Sequence, residues 1–381
     1  MSREFVMPKK VITGENAVVN SADLFAQTGK KAFIVTDKFI EKLDFFKLIT
    51  DTLEKAGVEY DVFSGITGEP TDDMINEGLA QFKSSGCDFF VAVGGGSPID
   101  SIKAIGALAA LGGSISDYMG KNIEAKLPTM IAIPTTAGTG SEATKFTIIT
   151  DTKKDIKMLL KGDNLVPDYA IIDGLATISS PKSITAATGL DALTHAVESY
   201  TSKMAQPLTS TLAMSAVKRI FKYLPKAYDD GSDLQARNEM AIAAFEAGVC
   251  INNASVTIVH GMSRPIGALF HVPHGVSNAM LLPSCMKFAV DGAYSKFADL
   301  GRAIGLDGDE DKEVAEKFIE QLESICKYCA IPSVEGFGID TAVFAEKIDK
   351  MATDALASGS PANTIKDVTK DDVVALYKAL I

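Results

Sequence analysis

Apolar and polar residues follow two different rhythms along this chain, and the change falls near residue 183. Before it, short apolar runs alternate with helix-patterned stretches. The runs 31–37 (KAFIVTD), 60–63 (YDVF), 88–93 (DFFVAV), 130–133 (MIAI) and 170–172 (AII) predict strands. Helical periodicity fills the intervals after 37 through Leu53, from 71 to 84 and from 98 to 111. Strand and helix repeating in this way predict a parallel sheet with helices on both faces. Residues 146–150 and 156–160 flank the polar turn 151–155 and predict a hairpin. From Ile184 to the end, Ala-rich helical periodicity takes over, with polar breaks near 229–231 and 307–310. The expectation is an α/β domain over 1–183, Rossmann-like with a parallel sheet, and an all-α domain over 184–381.

A length of 381 residues agrees with two domains of roughly 100–200 residues each. With 37 basic against 49 acidic residues the net charge is −12, and no basic block interrupts it. Nucleic acid and anionic membrane are therefore poor partners, although a phosphate could still bind locally. Five widely spaced cysteines do not suggest a disulfide framework, and Cys326-Lys-Tyr-Cys329 reads as two ordinary helix cysteines. The start, MSREFVMPKK, lacks the apolar core of a signal peptide, and no apolar run approaches the ~20 residues of a spanning helix. A cytoplasmic protein is expected.

Two glycine-rich turns carry the first candidate chemistry. Gly94-Gly95-Gly96-Ser97-Pro98-Ile99-Asp100 joins a predicted strand to a predicted helix. Glycines there let the backbone turn sharply, Ser97 suits an N-cap and Pro98 the first helical position. Such a helix start offers unpaired N–H donors to a phosphate, although the spacing is not the usual G-x-G-x-x-G. Pro134-Thr-Thr-Ala-Gly-Thr-Gly-Ser-Glu142 follows another strand and should open at the same sheet edge. Asp37 ends the first strong strand, where a carboxylate can accept from ribose hydroxyls and repel a 2′-phosphate; it also suits a turn or cap. Together these features favour NAD over NADP.

The histidines carry the second. The chain has only four, His195, His260, His271 and His274, all within one 80-residue window. Asp191 and His195 are four apart in helical sequence and so share a face. One carboxylate with imidazoles suits iron or zinc, and the lack of thiolate argues against a purely structural zinc site. Spacing alone does not choose His260 and His274 over His271.

GGGSPID at 94–100, PTTAGTGSEAT at 134–144, ATGLDALTHAVESY at 187–200 and VHGMSRPIGALFHVPHG at 259–275 closely resemble the iron-containing alcohol dehydrogenase family, in the right order along nearly the whole chain. The resemblance implies a dinucleotide-binding α/β domain, a helical domain, and an active site in the cleft between them. It implies metal ligation by Asp191, His195, His260 and His274, with Fe(2+) or Zn(2+) as the ion. It also implies NAD contacts by Asp37, by Gly94, Gly95, Gly96, Ser97 and Asp100, and by Thr135, Thr136, Thr144 and Lys157.

The implied activity is reversible NAD-linked interconversion of a primary alcohol and its aldehyde by a homodimer or larger homo-oligomer. Two departures stand out: Arg264 replaces a further histidine of many relatives, and Glu69 replaces an asparagine of several. Arg264 raises an anionic semialdehyde as an alternative substrate, by bidentate binding of an oxyanion. His271 is a loop residue or part of a proton path, and is the one candidate catalytic residue. Glycerol dehydrogenase-like and dehydroquinate synthase-like enzymes usually have one carboxylate and two histidines, which the GLDALTH motif opposes. A sensor that binds nucleotide or metal without turnover is the reading of another class.

Overall fold

The computed structural model describes residues 2–154 and 156–381. Over these the chain runs β1 (Lys10–Thr13), α1 (Ala22–Thr28), β2 (Lys31–Val35), α2 (Asp44–Lys55), β3 (Glu59–Phe63), α3 (Asp72–Ser85), β4 (Phe89–Gly94) and α4 (Gly96–Leu111). β5 (Met130–Pro134), β6 (Phe146–Asp151), β7 (Ile156–Lys161) and β8 (Tyr169–Ile172) complete the strands. The helices that follow are α5 (Lys182–Thr201), α6 (Pro207–Asp229), α7 (Leu234–Ala254), α8 (Ile258–Phe270), α9 (His274–Ala289), α10 (Tyr294–Ala303), α11 (Asp311–Tyr328), α12 (Thr341–Ala357) and α13 (Lys370–Lys378). The chain divides into two compact units: Val6–Ser180, and Pro181–Ile381 together with Met1–Phe5.

The first unit is built on a six-stranded sheet of order β1-β8-β5-β4-β2-β3, with every pair parallel. Its strands read as unbroken apolar runs because both faces are covered. In β2, Phe33 and Val35 point to a core that includes Ile75 of α3 and Ile99, Ile102 and Ile105 of α4. Ala32 and Ile34 point the other way, to Leu24 and Phe25 of α1 and Phe45, Ile49 and Leu53 of α2. The register Phe33↔Phe90, Ile34↔Val91 keeps neighbouring strands in phase, so each face stays apolar across the sheet. The chain builds outward from β2 to β3, returns to β4 on the other side of β2, and continues outward through β5 and β8. β2 and β4 therefore flank the switch point, where open α/β sheets bind ligands at the carboxyl ends of their strands.

Two details differ from the sequence expectation. β1 is a four-residue edge strand that pairs only with β8, too short to show a pattern of its own. α4 starts at Gly96 with Gly95 as its N-cap, so Ser97 is not the cap and Pro98 is not the first helical residue. The reason is Gly94, whose φ of +156° turns the chain into the helix early. β6 and β7 form the predicted antiparallel hairpin, with Ile148 opposite Leu159; Asp155 of its turn lies outside the described residues.

The second unit is helical, and α5 runs through its middle. Every residue of α5 from Gly189 to Thr201 is buried, which makes it a core helix. Three of those residues, Asp191, His195 and Glu198, carry a carboxylate or an imidazole, and burying such groups is costly unless each finds a partner. All five cysteines are free. Cys326 and Cys329 are buried at the end of α11, and burial pushes both thiols up to about 12, so they remain protonated. Among the described residues no single helix is long and apolar enough to cross a membrane.

Candidate metal centre and cofactor loops

In the first unit, the two glycine-rich turns meet at the carboxyl ends of β4 and β5. Gly94 pairs with Pro134 in register, and the Thr135 N–H donates to the Gly94 carbonyl at 2.9 Å. A Cβ on Gly96 would lie 3.2 Å from Ser141 Oγ and from Thr139 Cγ2, so the loops touch through a glycine. Gly95, Gly96 and Ser97 are partly exposed at the start of α4, a 16-residue helix whose first N–H groups and dipole suit an anion. Asp37, just past β2, caps the next turn: its Oδ1 accepts from the Phe39 and Ile40 N–H groups at 2.8 and 2.9 Å. Its carboxylate is thus held at the switch point, beside the strand that feeds α4.

Other expected cofactor residues are occupied within the protein. Asp100 Oδ2 accepts from the Ile148 N–H at 3.0 Å and anchors β6 to α4. Thr144 is buried, with its hydroxyl 3.3 Å from Lys103 Nζ. Lys157 pairs with Glu69 at 2.7 Å on an exposed surface, so the unusual glutamate and the candidate lysine are partners. An exposed pair of this kind contributes only about 0–1 kcal/mol.

Behind the loops sits a buried charge cluster. The Lys103 ammonium donates to the Thr144 and Phe146 carbonyls at 2.8 Å each and lies 3.8 Å from Asp100. Burial draws it down to about 8, against the pull of Asp100 and Glu142. Burial likewise raises the Glu142 carboxyl to about 7, opposed by its own backbone N–H and by Lys103. Between its ordinary value of 4.5 and about 7, folded Glu142 keeps a proton that the unfolded chain has released. Its contribution to stability is therefore full below pH 4.5 and is lost as pH rises to about 7. Glu142→Gln should remove that slope. Urea midpoints at pH 5 and pH 7.5 check it, and equal pH dependence in the variant and the parent would refute the assignment.

In the second unit, three helices bring four ligand-type side chains together. α5 supplies Asp191 and His195, α8 supplies His260 in its first turn, and α9 begins with His274. One atom from each of the four lies within 4.8 Å of the others. Asp191 Oδ1 is 3.8 Å from Nε2 of His195, of His260 and of His274. A tetrahedral ion with bonds of ~2.1 Å sets its ligand atoms ~3.4 Å apart, close to this spacing.

The Asn278 amide gives an independent view of where those lone pairs aim. Its Nδ2 donates to Asp191 Oδ1 at 2.6 Å and lies 3.1 Å from both His260 Nε2 and His274 Nε2. Three of the four ligand atoms thus converge on one electropositive group, as they would on a cation. Burial pushes the Asp191 carboxyl up, but His195, His274, His260 and Asn278 outweigh it and hold it below the usual carboxylate range. Burial, with the neighbouring imidazoles, depresses His260 well below an ordinary histidine. An ionised carboxylate and a neutral imidazole are the forms that ligate a metal.

The chain matches the family model described as iron-containing alcohol dehydrogenase over residues 8–174. Residues 185–381 match the C-terminal model of the same family. The chain belongs to the iron-containing alcohol dehydrogenase family. It is 36% identical over 382 residues to the NAD-dependent methanol dehydrogenase of Bacillus methanolicus, covering 99% of each chain. It is also 36% identical over 382 residues to the 1,3-propanediol dehydrogenase of Klebsiella pneumoniae, covering 98% of each. A solved 1,3-propanediol oxidoreductase superposes with a TM-score of 0.95 at 35% identity over the full length of both chains.

As an alcohol dehydrogenase of this family the chain is an oxidoreductase, and its remaining candidates can be placed. His271 lies outside the four-residue cluster. It is exposed, sits in the left-handed region at φ +55°, and closes α8 through its N–H to the Gly267 carbonyl at 3.0 Å. Arg264 donates from Nη1 to Ser360 Oγ at 3.1 Å. Sequence reasoning overlooked Asn278 and Glu198. Both stand at helical spacing from a candidate ligand, Asn278 four residues after His274 and Glu198 three after His195.

Proposed function

We propose that Asp191, His195, His260 and His274 hold a divalent ion, with Fe(2+) preferred and Zn(2+) as the alternative, and that the chain uses it to interconvert a primary alcohol and its aldehyde with NAD(H). The observation that carries this reading is the convergence of four ligand atoms within 4.8 Å in a helical unit, with Asp191, His195 and His260 buried and His274 at the exposed side. One carboxylate and three imidazoles suit iron or zinc, and together leave a divalent ion with net positive charge. When bound, the ion supplies a Lewis acid for the substrate oxygen and the nicotinamide a hydride donor or acceptor.

The chain's own residues do the rest. Gly95, Gly96 and Ser97 leave the N–H groups of α4 open to a pyrophosphate, while Gly94 makes the turn that aims them. Thr135 and Thr136 border the same loop, and Asp37 stands where a ribose hydroxyl would meet a carboxylate and a 2′-phosphate would be repelled. Asp100, Thr144 and Lys103 fix the loops behind them, which is a positioning role. Lys157 reaches a cofactor only by leaving Glu69. The resemblance also supports a homodimer or larger homo-oligomer as the working form, with the cytoplasm the compartment expected from the sequence.

A panel of short primary alcohols with NAD, followed by NADH absorbance on metal-free protein and on protein reloaded with ferrous iron or zinc, tests the reading. Alcohol-dependent NADH formation restored by metal is the expected result. Metal and NAD binding without turnover on any alcohol or aldehyde would instead support a sensor.

A further inference from the structure

Glu198 is fully buried in α5, on the face that carries Asp191 and His195. Its Oε1 accepts from the Val259 N–H and from the Thr257 hydroxyl, each at 2.7 Å. Its Oε2 lies 2.5 Å from His260 Nδ1. The other side of that ring faces the Asn278 amide nitrogen, 3.1 Å from Nε2. An amide nitrogen only donates, so Nε2 must present its lone pair. Turning the amide over would set its oxygen against Asp191 Oδ1 at 2.6 Å, acceptor against acceptor. The ring proton is therefore on Nδ1 and points at Glu198. His195 has no such clamp, since its Nδ1 meets no hydrogen-bond partner among the described residues.

We infer that Glu198 is a positioning residue for the metal centre, holding His260 in the tautomer and orientation that leave Nε2 free to ligate. The inference rests on the reading of Asp191, His195, His260 and His274 as metal ligands. A carboxylate behind a ligating imidazole fixes the ring, raises its basicity and is worth about 10–100-fold in metal affinity. The same carboxylate also secures the first turn of α8 through Thr257 and Val259, so a merely structural role has to be separated from it.

Glu198→Gln separates the two. If the glutamine oxygen keeps the Thr257 and Val259 bonds, its NH2 faces Nδ1, and His260 must carry its proton on Nε2, the ligating atom. Zinc affinity by chelator competition on the full chain should then fall about 10–100-fold. Thr257→Val removes one anchor of α8 without touching the imidazole. It should lower the melting temperature in EDTA while leaving zinc affinity within about threefold, well short of the loss expected for a ligand's hydrogen-bonded partner.

Nitrogen-15 spectra of the histidines in zinc-loaded wild-type protein need no variant and should show the His260 proton on Nδ1. Unchanged zinc affinity in Glu198→Gln, or a wild-type His260 proton on Nε2, would overturn the inference alone. Wild-type protein that binds no zinc at all would overturn the ligand reading and the inference with it.

Discussion

His260→Ala is expected to abolish stoichiometric metal retention and to lower kcat/KM by at least about a thousandfold. Lewis-acid polarisation of a substrate oxygen supplies several kcal/mol, and each ~1.4 kcal/mol is a factor of ten in rate. NAD affinity should stay within about twofold, because the loops at β4 and β5 belong to the other compact unit. The substitution also strands one partner, Glu198. Glu198 Oε2 loses the Nδ1–H, and the Asn278 amide loses one acceptor while keeping Asp191 and His274. A buried polar group without a partner costs about 1–3 kcal/mol, so the variant should also melt earlier than the metal-free parent. Metal analysis, isothermal titration with NAD and initial rates check the three parts separately. Full turnover by the metal-free variant would sink the proposed chemistry.

The sequence made different parts of this arrangement legible for physical reasons. The strands of the first unit stood out because helices cover both faces of the sheet, leaving runs such as Phe89–Gly94 with no exposed position. β1 did not, since an edge strand of four residues with two exposed positions looks like any loop. The start of α4 was displaced because propensity at Ser97 and Pro98 competes with a backbone torsion at Gly94 that composition does not encode. Asp191 and His195 could be paired from spacing alone, as one helix carries both.

Spacing does not separate His260 and His274 from His271; the family resemblance does, and the packing of α8 and α9 shows why, with His271 spent on the left-handed end of α8. Glu198 was readable in principle, at spacings of seven and three from Asp191 and His195. It was passed over because a glutamate in helical sequence is usually solvated. The pairing of Glu69 with Lys157 joins residues 88 apart, and no local pattern announces it.

Gly275→Ala should disable the same centre without removing any ligand. Gly275 follows His274 at the start of α9, where that helix meets α5. A Cβ there would lie 2.4 Å from the Ala187 carbonyl oxygen and 3.4 Å from Asp191 Cβ. The Ala187 carbonyl is helix backbone and cannot rotate aside, so α9 must move away from α5. That motion carries His274 from Asp191, although their ligand atoms are now 3.8 Å apart. Metal constellations tolerate displacements of only about 0.5 Å. Relieving a contact this short needs more than that, and a loss of at least about a hundredfold in metal affinity is expected.

Overpacking of this kind also costs about 1–3 kcal/mol of stability. Gly267→Ala in α8 is the control, because its Cβ would meet only the Val272 carbonyl oxygen, at 3.4 Å. It should bind metal as the parent does. Chelator competition below the melting temperature of the metal-free protein compares the two. Parent-like affinity in Gly275→Ala would show that α9 can shift without moving His274, and that the close α5–α9 contact does not set the geometry of the centre.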